Sequence, residues 1–190
     1  MSILNRYLSC VRTLRKQLKK MRLTLIFLII GICGYAQNPD IISYDEISIN
    51  GIDNQSSEND LISAFGKPSS ITKPKYDCGA LSADWNEVNV ILYEWDGIKI
   101  HFVNGILEIG EIDYRKANPK IKTPQIIIDS STTLLELQKA FPNSYKIWQE
   151  QNEKYGSKIL SIWLTEFSDS EFHITIDNEK ITKFNLYHPC

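Results

Sequence analysis

Alternating hydrophobic and polar positions in the middle of the chain predict a three-stranded antiparallel meander. Each strand has apolar residues at every second position, and the three strands cover residues 88–95, 98–103 and 106–114. Asp96-Gly97 and Asn104-Gly105 separate them and favour type I′ hairpin turns, in which both central residues need a positive φ. Hairpin register then places one set of side chains on one face: Ile91, Tyr93, Trp95, Ile98, Ile100, Phe102, Leu107 and Ile109. Glu94 and Lys99 are predicted to pair across the other face.

A short amphipathic helix is predicted before this meander. Ser57 and Asp60 have the spacing of a capping box, in which each side chain accepts the other residue's backbone N–H. Apolar residues follow at the i, i+3, i+4 spacing of one helix face, namely Leu61, Ala64 and Phe65. Gly66 and Pro68 then predict the end of the helix. Short strands are predicted on either side of it, at 46–49 and 70–75, with a loop at 76–86.

The second half of the chain repeats this order of signals. A strand is predicted at 125–129, and Thr133 and Glu136 have the spacing of a second capping box. Its apolar residues stand 76 residues after those of the first helix and are Leu137, Ala140 and Phe141. Pro142-Asn143 predicts the helix end, and residues 145–150 fit either a strand or a helix that runs to Gly156. A second meander follows, with strands predicted at 159–167, 171–177 and 180–188.

These signals predict an α+β protein of two similar repeats, each a short helix packed on an antiparallel β-meander sheet. The predicted boundaries are 1–36 for a leader, 37–119 for the first repeat and 120–190 for the second, with the join near Ala117. The alternative is a single irregular α+β domain whose two helices resemble each other by chance.

The first 36 residues have the features of a secretory signal peptide. They hold seven basic and no acidic residues and end in an apolar run, 23–36, with the small residues Gly34 and Ala36 before Gln37. We therefore expect cleavage after Ala36 and a periplasmic or secreted protein. Met1 and Met21 are both candidate starts.

Two membrane-bound alternatives fit the leader less well. The apolar run of 14 residues is shorter than the ~20 that span a bilayer. A lipoprotein would need a small residue before its modified cysteine, and Ile32 precedes Cys33. We therefore expect no stable membrane span after cleavage, with an uncleaved leader that acts as an anchor as the alternative.

Removal of the leader makes the protein acidic. Seven of the 21 basic residues lie in it, so 14 basic residues remain against 23 acidic ones, a formal net charge of −9. Such a surface repels phosphate backbones, and no basic stripe interleaved with aromatic residues is present. We expect no nucleic acid as a partner.

The cysteines outside the leader predict one disulfide. Cys10 and Cys33 belong to the leader, which leaves Cys78 and Cys190. An even number of cysteines in an oxidising compartment favours a Cys78–Cys190 bridge. Two free thiols are the alternative.

The predicted helix end at Ala64 to Pro68, followed by a long meander in an exported protein, resembles the SmpA/OmlA family of small outer-membrane assembly lipoproteins. Two such units in tandem, at a spacing of about 76 residues, resemble the β-lactamase inhibitory protein group. The resemblance implies a helix-backed sheet that binds another protein. It carries over no functional residue.

Catalytic and metal-binding constellations are not predicted, and we expect no cofactor. His101, His173 and His188 lie in predicted strands without the HxH or HExxH spacing of metal ligands. Cys78 is a conceivable nucleophile with one of them, but an oxidising compartment favours a cystine.

The pattern of acidic residues favours a solvated strand edge over a catalytic or metal site. Glu108, Glu111 and Asp113 crowd the end of one strand, and we expect them to form a solvated acidic edge that prevents unwanted strand pairing. Glu166 has no second acid at its own strand end. A glycosidase-like acid pair and a calcium site at 169–171 are the alternatives.

The tryptophans suggest how a binding protein would work. Each is expected in or beside a strand, with core or inter-repeat packing as the expected role of all four, which are Trp85, Trp95, Trp148 and Trp163. The alternative is that one or two anchor a partner on the open sheet face, with Trp85 the first candidate. We therefore expect a non-catalytic protein-binding module of the envelope or secreted space. The alternatives are an inhibitor or immunity-type protein, and a small-ligand binder or hydrolase with an acidic site.

Overall fold

Two three-stranded meanders form the centre of the fold. A computed structural model describes residues 38–74, 89–165 and 169–189, all within one compact unit, Asn38–Cys190. The leader, the loop at 76–86, Glu166, Cys78, Cys190 and Trp85 lie outside the described residues. Leader cleavage, the Cys78–Cys190 bridge and the role of Trp85 therefore stay predictions.

The described residues contain both helices and strands, and the fold is α+β. The helices are α1 (Glu58–Phe65), α2 (Leu134–Ala140) and α3 (Pro142–Tyr155), with a 3₁₀ turn at Tyr44–Glu46. The first strands are β1 (Ile41–Ile42), β2 (Ser48–Ile49), β3 (Ser70–Thr72), β4 (Val90–Trp95), β5 (Ile98–Val103) and β6 (Ile106–Asp113). The remaining strands are β7 (Ile121–Lys122), β8 (Ile127–Ile128), β9 (Ile159–Leu164), β10 (Glu171–Asp177) and β11 (Lys180–Tyr187).

One eight-stranded sheet contains both meanders, in the order β1-β9-β10-β11-β6-β5-β4-β3. All neighbours are antiparallel except β1 and β9. The meanders meet where β6 pairs with β11 over three residue pairs, from Asp113↔Lys183 to Glu111↔Asn185. A second, three-stranded sheet has the order β2-β7-β8. The pairing of β6 with β11 thus places the two meanders side by side in one sheet.

The first meander has the predicted register and faces. Tyr93 pairs with Ile100 and Ile100 with Ile109, so the apolar positions share one face, while Glu94 pairs with Lys99 on the other. Both Asn104 and Gly105 have a positive φ, as predicted. At the other turn only Gly97 does, and the predicted positive φ at Asp96 is wrong.

A bulge at Gly110 keeps β6 in phase with the core. Lys99 pairs with Glu111 but Ile100 pairs with Ile109, so Gly110 is the extra residue. A Cβ there would lie 2.9 Å from Cε1 of His101 and 3.0 Å from the Lys99 carbonyl oxygen. Glycine therefore allows His101 to pack directly on the β6 backbone.

Both predicted capping boxes are present. Ser57 with Asp60 caps α1, and Thr133 with Glu136 caps α2, each with both reciprocal hydrogen bonds. Gly66 ends α1 with a φ of 75°. α2 ends at Ala140, close to the predicted end, and the single non-helical residue Phe141 separates it from α3. Pro142 occupies the first turn of α3, where its missing N–H costs nothing.

Other boundaries differ modestly from prediction. Of the alternatives for 145–150, the helix is the one observed, and α3 ends at Gly156 in the left-handed conformation. The strand predicted at 46–49 is shortened to β2, because the 3₁₀ turn at Tyr44–Glu46 directly precedes it. The strand predicted at 70–75 is described only as β3.

The core lies between the sheet and the helices. Leu61 of α1, Leu137 of α2 and Phe141 between α2 and α3 are fully buried in one cluster with fully buried sheet residues, including Ile100 and Phe172. No helix within the described ranges has the length and apolar character needed to cross a membrane.

Candidate functional site

The eight-stranded sheet has one face packed against helices and one face that the described helices leave uncovered. Alternate residues of each strand point to opposite sides, so Leu160, Ile162 and Leu164 of β9 are buried, while Ile159 and Trp163 are exposed. We call the side that carries Trp163 the open face.

A row of large side chains crosses the open face on four adjacent strands. Pairing registers Ile41 with Trp163, Trp163 with Glu171 and Glu171 with Tyr187. Ile41 is 50% exposed, Trp163 39% and Tyr187 44%. These four residues, which we call the Trp163 row, place a carboxylate between two exposed aromatic rings.

His173 holds two members of the Trp163 row in place. Its Nε2 lies 3.0 Å from Oε2 of Glu171, in a hydrogen bond. Its ring stacks on the Tyr187 ring, with centroids 4.7 Å apart and planes 15° from parallel. The carboxylate and the Tyr187 ring are therefore fixed relative to each other before any partner binds.

A depression of about 420 Å³ lies beside this row, at the seam between the two meanders. β6 and β11 pair only as far as Glu111 and Asn185, and the depression lies beyond that point. We call it the seam pocket; its lining includes Val90, Leu92, Lys99, Val103, Glu108, Glu111, Asn185, Tyr187, His101 and His188. Apolar side chains from β4 and β5 and polar side chains from β6 and β11 therefore converge there.

Three polar side chains form a chain along the seam pocket. Oγ of Ser170 and Nδ1 of His188 are hydrogen-bonded at 2.7 Å, and Nε2 of His188 lies 3.9 Å from Oε2 of Glu108. Ser170 is 5% exposed and Glu108 2%. A nucleophilic serine has to present its oxygen to a substrate; this one is buried, and its contact fixes the His188 ring.

Burial controls the charge of two histidines in the seam pocket. Burial, followed by the Lys99 charge, lowers the pKa of His101 from 6.5 to about 4. Burial also lowers the pKa of His188, against the opposing charge of Asp169. Both rings are therefore neutral at pH 7, and can act as hydrogen-bond donors and acceptors there.

Most other charges on the open face are paired. Glu94 lies 4.0 Å from Lys99, and Glu111 2.9 Å from Lys183. Asp113 is 2.6 Å from Arg115, whose hydrogen bond lowers the pKa of that carboxyl to about 2. Glu171 differs, because its partner is a histidine, which is charged only when protonated.

The predicted solvated acidic edge is wrong. Glu108 and Asp113 are buried, because β6 lies inside the sheet between β5 and β11. At the calcium alternative, 169–171, Ser170 contacts His188 and Glu171 contacts His173. Among the residues that the structure describes, no three His, Cys, Asp or Glu side chains could hold a metal ion together.

The tryptophans take different roles. Trp148 is buried, as expected, but lies in α3 instead of in or beside a strand. Trp95 is half-buried against Phe65 of α1, with ring centroids 5.5 Å apart. Trp163 is the exception to core packing and lies on the open face, where the sequence had favoured Trp85 as the first anchor candidate.

The Trp163 row was missed as a set. Its sequence signal is the outward-facing phase of the alternation in β9, β10 and β11. Three members of the row, Trp163, Glu171 and Tyr187, alternate there with the core-facing residues Leu164, Phe172 and Leu186. Its fourth member, Ile41, could not have been found this way, because the parallel pairing of β1 with β9 spans more than a hundred residues.

Comparison with protein-family models, with curated proteins and with solved structures finds no match. The likeness to the assembly lipoproteins and inhibitory proteins therefore stays a prediction from the sequence pattern.

Proposed function

We propose that this is a non-catalytic protein-binding module of the cell envelope or secreted space, and that the open face binds its partner. The observation that carries the proposal is the Trp163 row. Exposed aromatic side chains on a rigid sheet bury large areas at little entropic cost, and tryptophan and tyrosine are the residues on which binding energy concentrates.

The position of this row supports the proposal. The other exposed large apolar residues are scattered, with Leu135 and Tyr155 on helices, Ile71 and Ile127 on short strands and Ile106 at the start of β6. Single exposed apolar residues are normal, whereas a contiguous set marks an interaction surface. Ile159, 42% exposed, lies on the same face of β9 at its other end.

A photo-crosslinking experiment tests the proposal. p-Benzoylphenylalanine replaces Tyr187 on the open face or Tyr155, 73% exposed on α3, as the matched control. The full chain is expressed in its native organism and irradiated, and crosslinked products are identified by mass spectrometry. We expect one stoichiometric protein adduct from position 187 and none from position 155.

Adducts of equal yield at both positions, or none at either, would contradict the proposal. The identity of the adduct also separates two forms of it. A resident envelope protein would indicate an assembly or scaffolding role, whereas an enzyme or toxin would indicate the inhibitor or immunity-type alternative.

A second candidate function is small-ligand binding in the seam pocket. The observation that favours it is the convergence of Glu108, His101 and His188 with apolar side chains in one concave site. Native mass spectrometry of the protein purified from its own organism tests this: a constant added mass that disappears in His188→Ala would favour it. An unliganded mass would favour the protein-binding role.

We also propose that the two halves are tandem repeats of one unit, exported by the leader. The matched capping boxes of α1 and α2 and the two bulged three-stranded meanders support this. Amino-terminal sequencing of the protein from its native organism tests the export step, with Gln37 the expected first residue.

A further inference from the structure

The Trp163 row combines two exposed aromatic side chains with one carboxylate. Trp163 and Tyr187 lie on strands that flank β10, so their Cα atoms are about 10 Å apart, two strand spacings. The carboxylate of Glu171 lies in the same row, between the two rings.

Glu171 differs from the other carboxylates of the open face in the residue that it contacts. Glu94, Glu111 and Asp113 on the same face each pair with a lysine or arginine. Within the described part of the chain, Glu171 contacts a histidine instead. A carboxylate that is held by His173 and flanked by aromatic rings favours a positive group through both an ion pair and cation–π attraction.

We propose that the Trp163 row binds an arginine side chain of the partner protein, an inference that rests on the protein-binding role proposed above. The guanidinium packs on the exposed Trp163 ring and donates two hydrogen bonds to Glu171, which a planar fork can do and a lysine ammonium cannot. Ile41 extends the row beyond Trp163, where it can contact apolar atoms of the partner. His173 is a positioning residue, since it orients both the carboxylate and the Tyr187 ring.

An NMR titration tests this site without the natural partner. The ¹⁵N-labelled protein, purified from cells that express the full chain, is titrated with acetyl-Gly-Arg-Gly-amide. The neutral isostere acetyl-Gly-citrulline-Gly-amide and the lysine peptide serve as comparisons. We expect saturable shifts of the Trp163 indole N–H and of the Glu171 and Tyr187 amides with the arginine peptide. The lysine peptide should bind more weakly, and the citrulline peptide should leave these signals in place.

Variants locate the binding. Glu171→Gln should weaken the arginine peptide by about tenfold, as expected for the loss of a charge-assisted pair. Trp163→Leu should weaken it as well and provides a second test if Glu171→Gln disturbs the fold. Glu153→Gln, which removes an exposed carboxylate from α3, should change nothing.

Three outcomes would overturn the inference: equal shifts with arginine and citrulline, shifts spread over the acidic surface, or undiminished binding in Glu171→Gln. The crosslinking experiment separates this failure from failure of the proposed function. A protein adduct at position 187 without arginine-peptide binding would leave the binding role and remove the arginine site. Arginine-peptide binding without any protein adduct would support the arginine site and contradict the proposed protein-binding role.

Discussion

The two meanders have similar core faces, but the side chains on their open faces differ in chemical character. The central strand of each, β5 and β10, carries a fully buried isoleucine on the core face, Ile100 and Ile174. On the open face, the first meander pairs its charges and buries Glu108. The strands of the first meander expose one large apolar residue, Ile106, whereas those of the second expose three, Ile159, Trp163 and Tyr187. The two meanders thus share a backbone arrangement, and the residues at the outward-facing positions determine what each open face can bind.

The elements that surround the two meanders also differ. In the first half a short strand, β3, extends the sheet beside β4, whereas in the second half α3 packs on the core face of β9. The edge of β9 is paired by β1, which adds Ile41 to the open face. The second meander is therefore backed on one side and extended on the other, and this extension completes the Trp163 row.

The largest expected effect tests whether the two core faces are equivalent. Ile100→Ala and Ile174→Ala each remove buried methylene and methyl groups from positions with 0% exposure. Each should lower the free energy of unfolding by about 2–5 kcal/mol, through lost apolar burial and the cavity left behind. Urea denaturation followed by circular dichroism measures both.

The exposed Trp163→Ala variant is the reference for these two substitutions and should cost far less stability. A near-zero effect of either isoleucine variant would show that its meander does not share the common core. Two separate unfolding transitions would show that the meanders unfold independently, which the β6–β11 pairing argues against.

The sequence predicted the local parts of this fold well. Capping boxes and hairpin register depend on residues within a few positions of each other, so Ser57 with Asp60 and Glu94 with Lys99 could be found from spacing alone. The sequence did not distinguish between a strand and a helix for α3, because residues 142–155 lack a regular helical spacing of apolar residues. Only Ser144 and Trp148 are buried there.

The candidate site could not be predicted, because it depends on long-range pairing. Glu108 was expected at a solvated edge, and the partner that buries β6 is a strand about 70 residues later in the chain. The contact of Ser170 with His188 likewise follows from the β10–β11 hairpin ending beside the seam. Spacing in the sequence carries no information on which strand pairs next to which.

Acidification should lower the free energy of unfolding through the two buried histidines, His101 and His188. His101 of the first meander has a pKa lowered to about 4, below the 6.5 of the unfolded chain. Between these values the unfolded chain binds more protons, so stability falls as the pH falls from 6.5 to 4, by at most about 3 kcal/mol. His188 adds a loss of the same sign. Urea unfolding at several pH values measures the slope.

His101→Gln should reduce this pH dependence, because glutamine does not titrate. The groups that act on the His101 charge are Lys99, Glu94 and His188, and none of them changes in the variant. His173→Gln, in the second meander, is the matched control. If that variant abolished the slope and His101→Gln did not, burial of His101 would not be its source.

The helix caps test whether the two halves start their helices with equal strength. Ser57→Ala and Thr133→Ala each remove a side chain that accepts a backbone N–H at 3.3 Å, from Asp60 and Glu136 respectively. Each should lower the free energy of unfolding by about 1 kcal/mol. Thermal unfolding detects this loss, and Ser57→Asp and Thr133→Asp should restore most of it. A loss at one cap only would mean that the two helices contribute unequally to the fold.

The smallest expected difference concerns one ion pair from each meander. Glu94 and Lys99 are 4.0 Å apart across β4 and β5, with side chains 32% and 49% exposed. Lys158 and Asp177 are closer, at 2.6 Å, but more exposed, at 60% and 42%. Exposed pairs contribute about 0.2–1 kcal/mol each, because solvent screens the attraction and both side chains lose freedom.

Double-mutant cycles with alanine at both positions should give coupling energies within this range for each pair, and both should weaken in 1 M salt, where the screening length falls to about 3 Å. A coupling well above that range for Glu94 and Lys99 alone would show that the charges on the first meander act as a network instead of as separate pairs. The open face of that meander would then be stabilised by its charges, and its contrast with the apolar face of the second would be sharper than the exposures alone indicate.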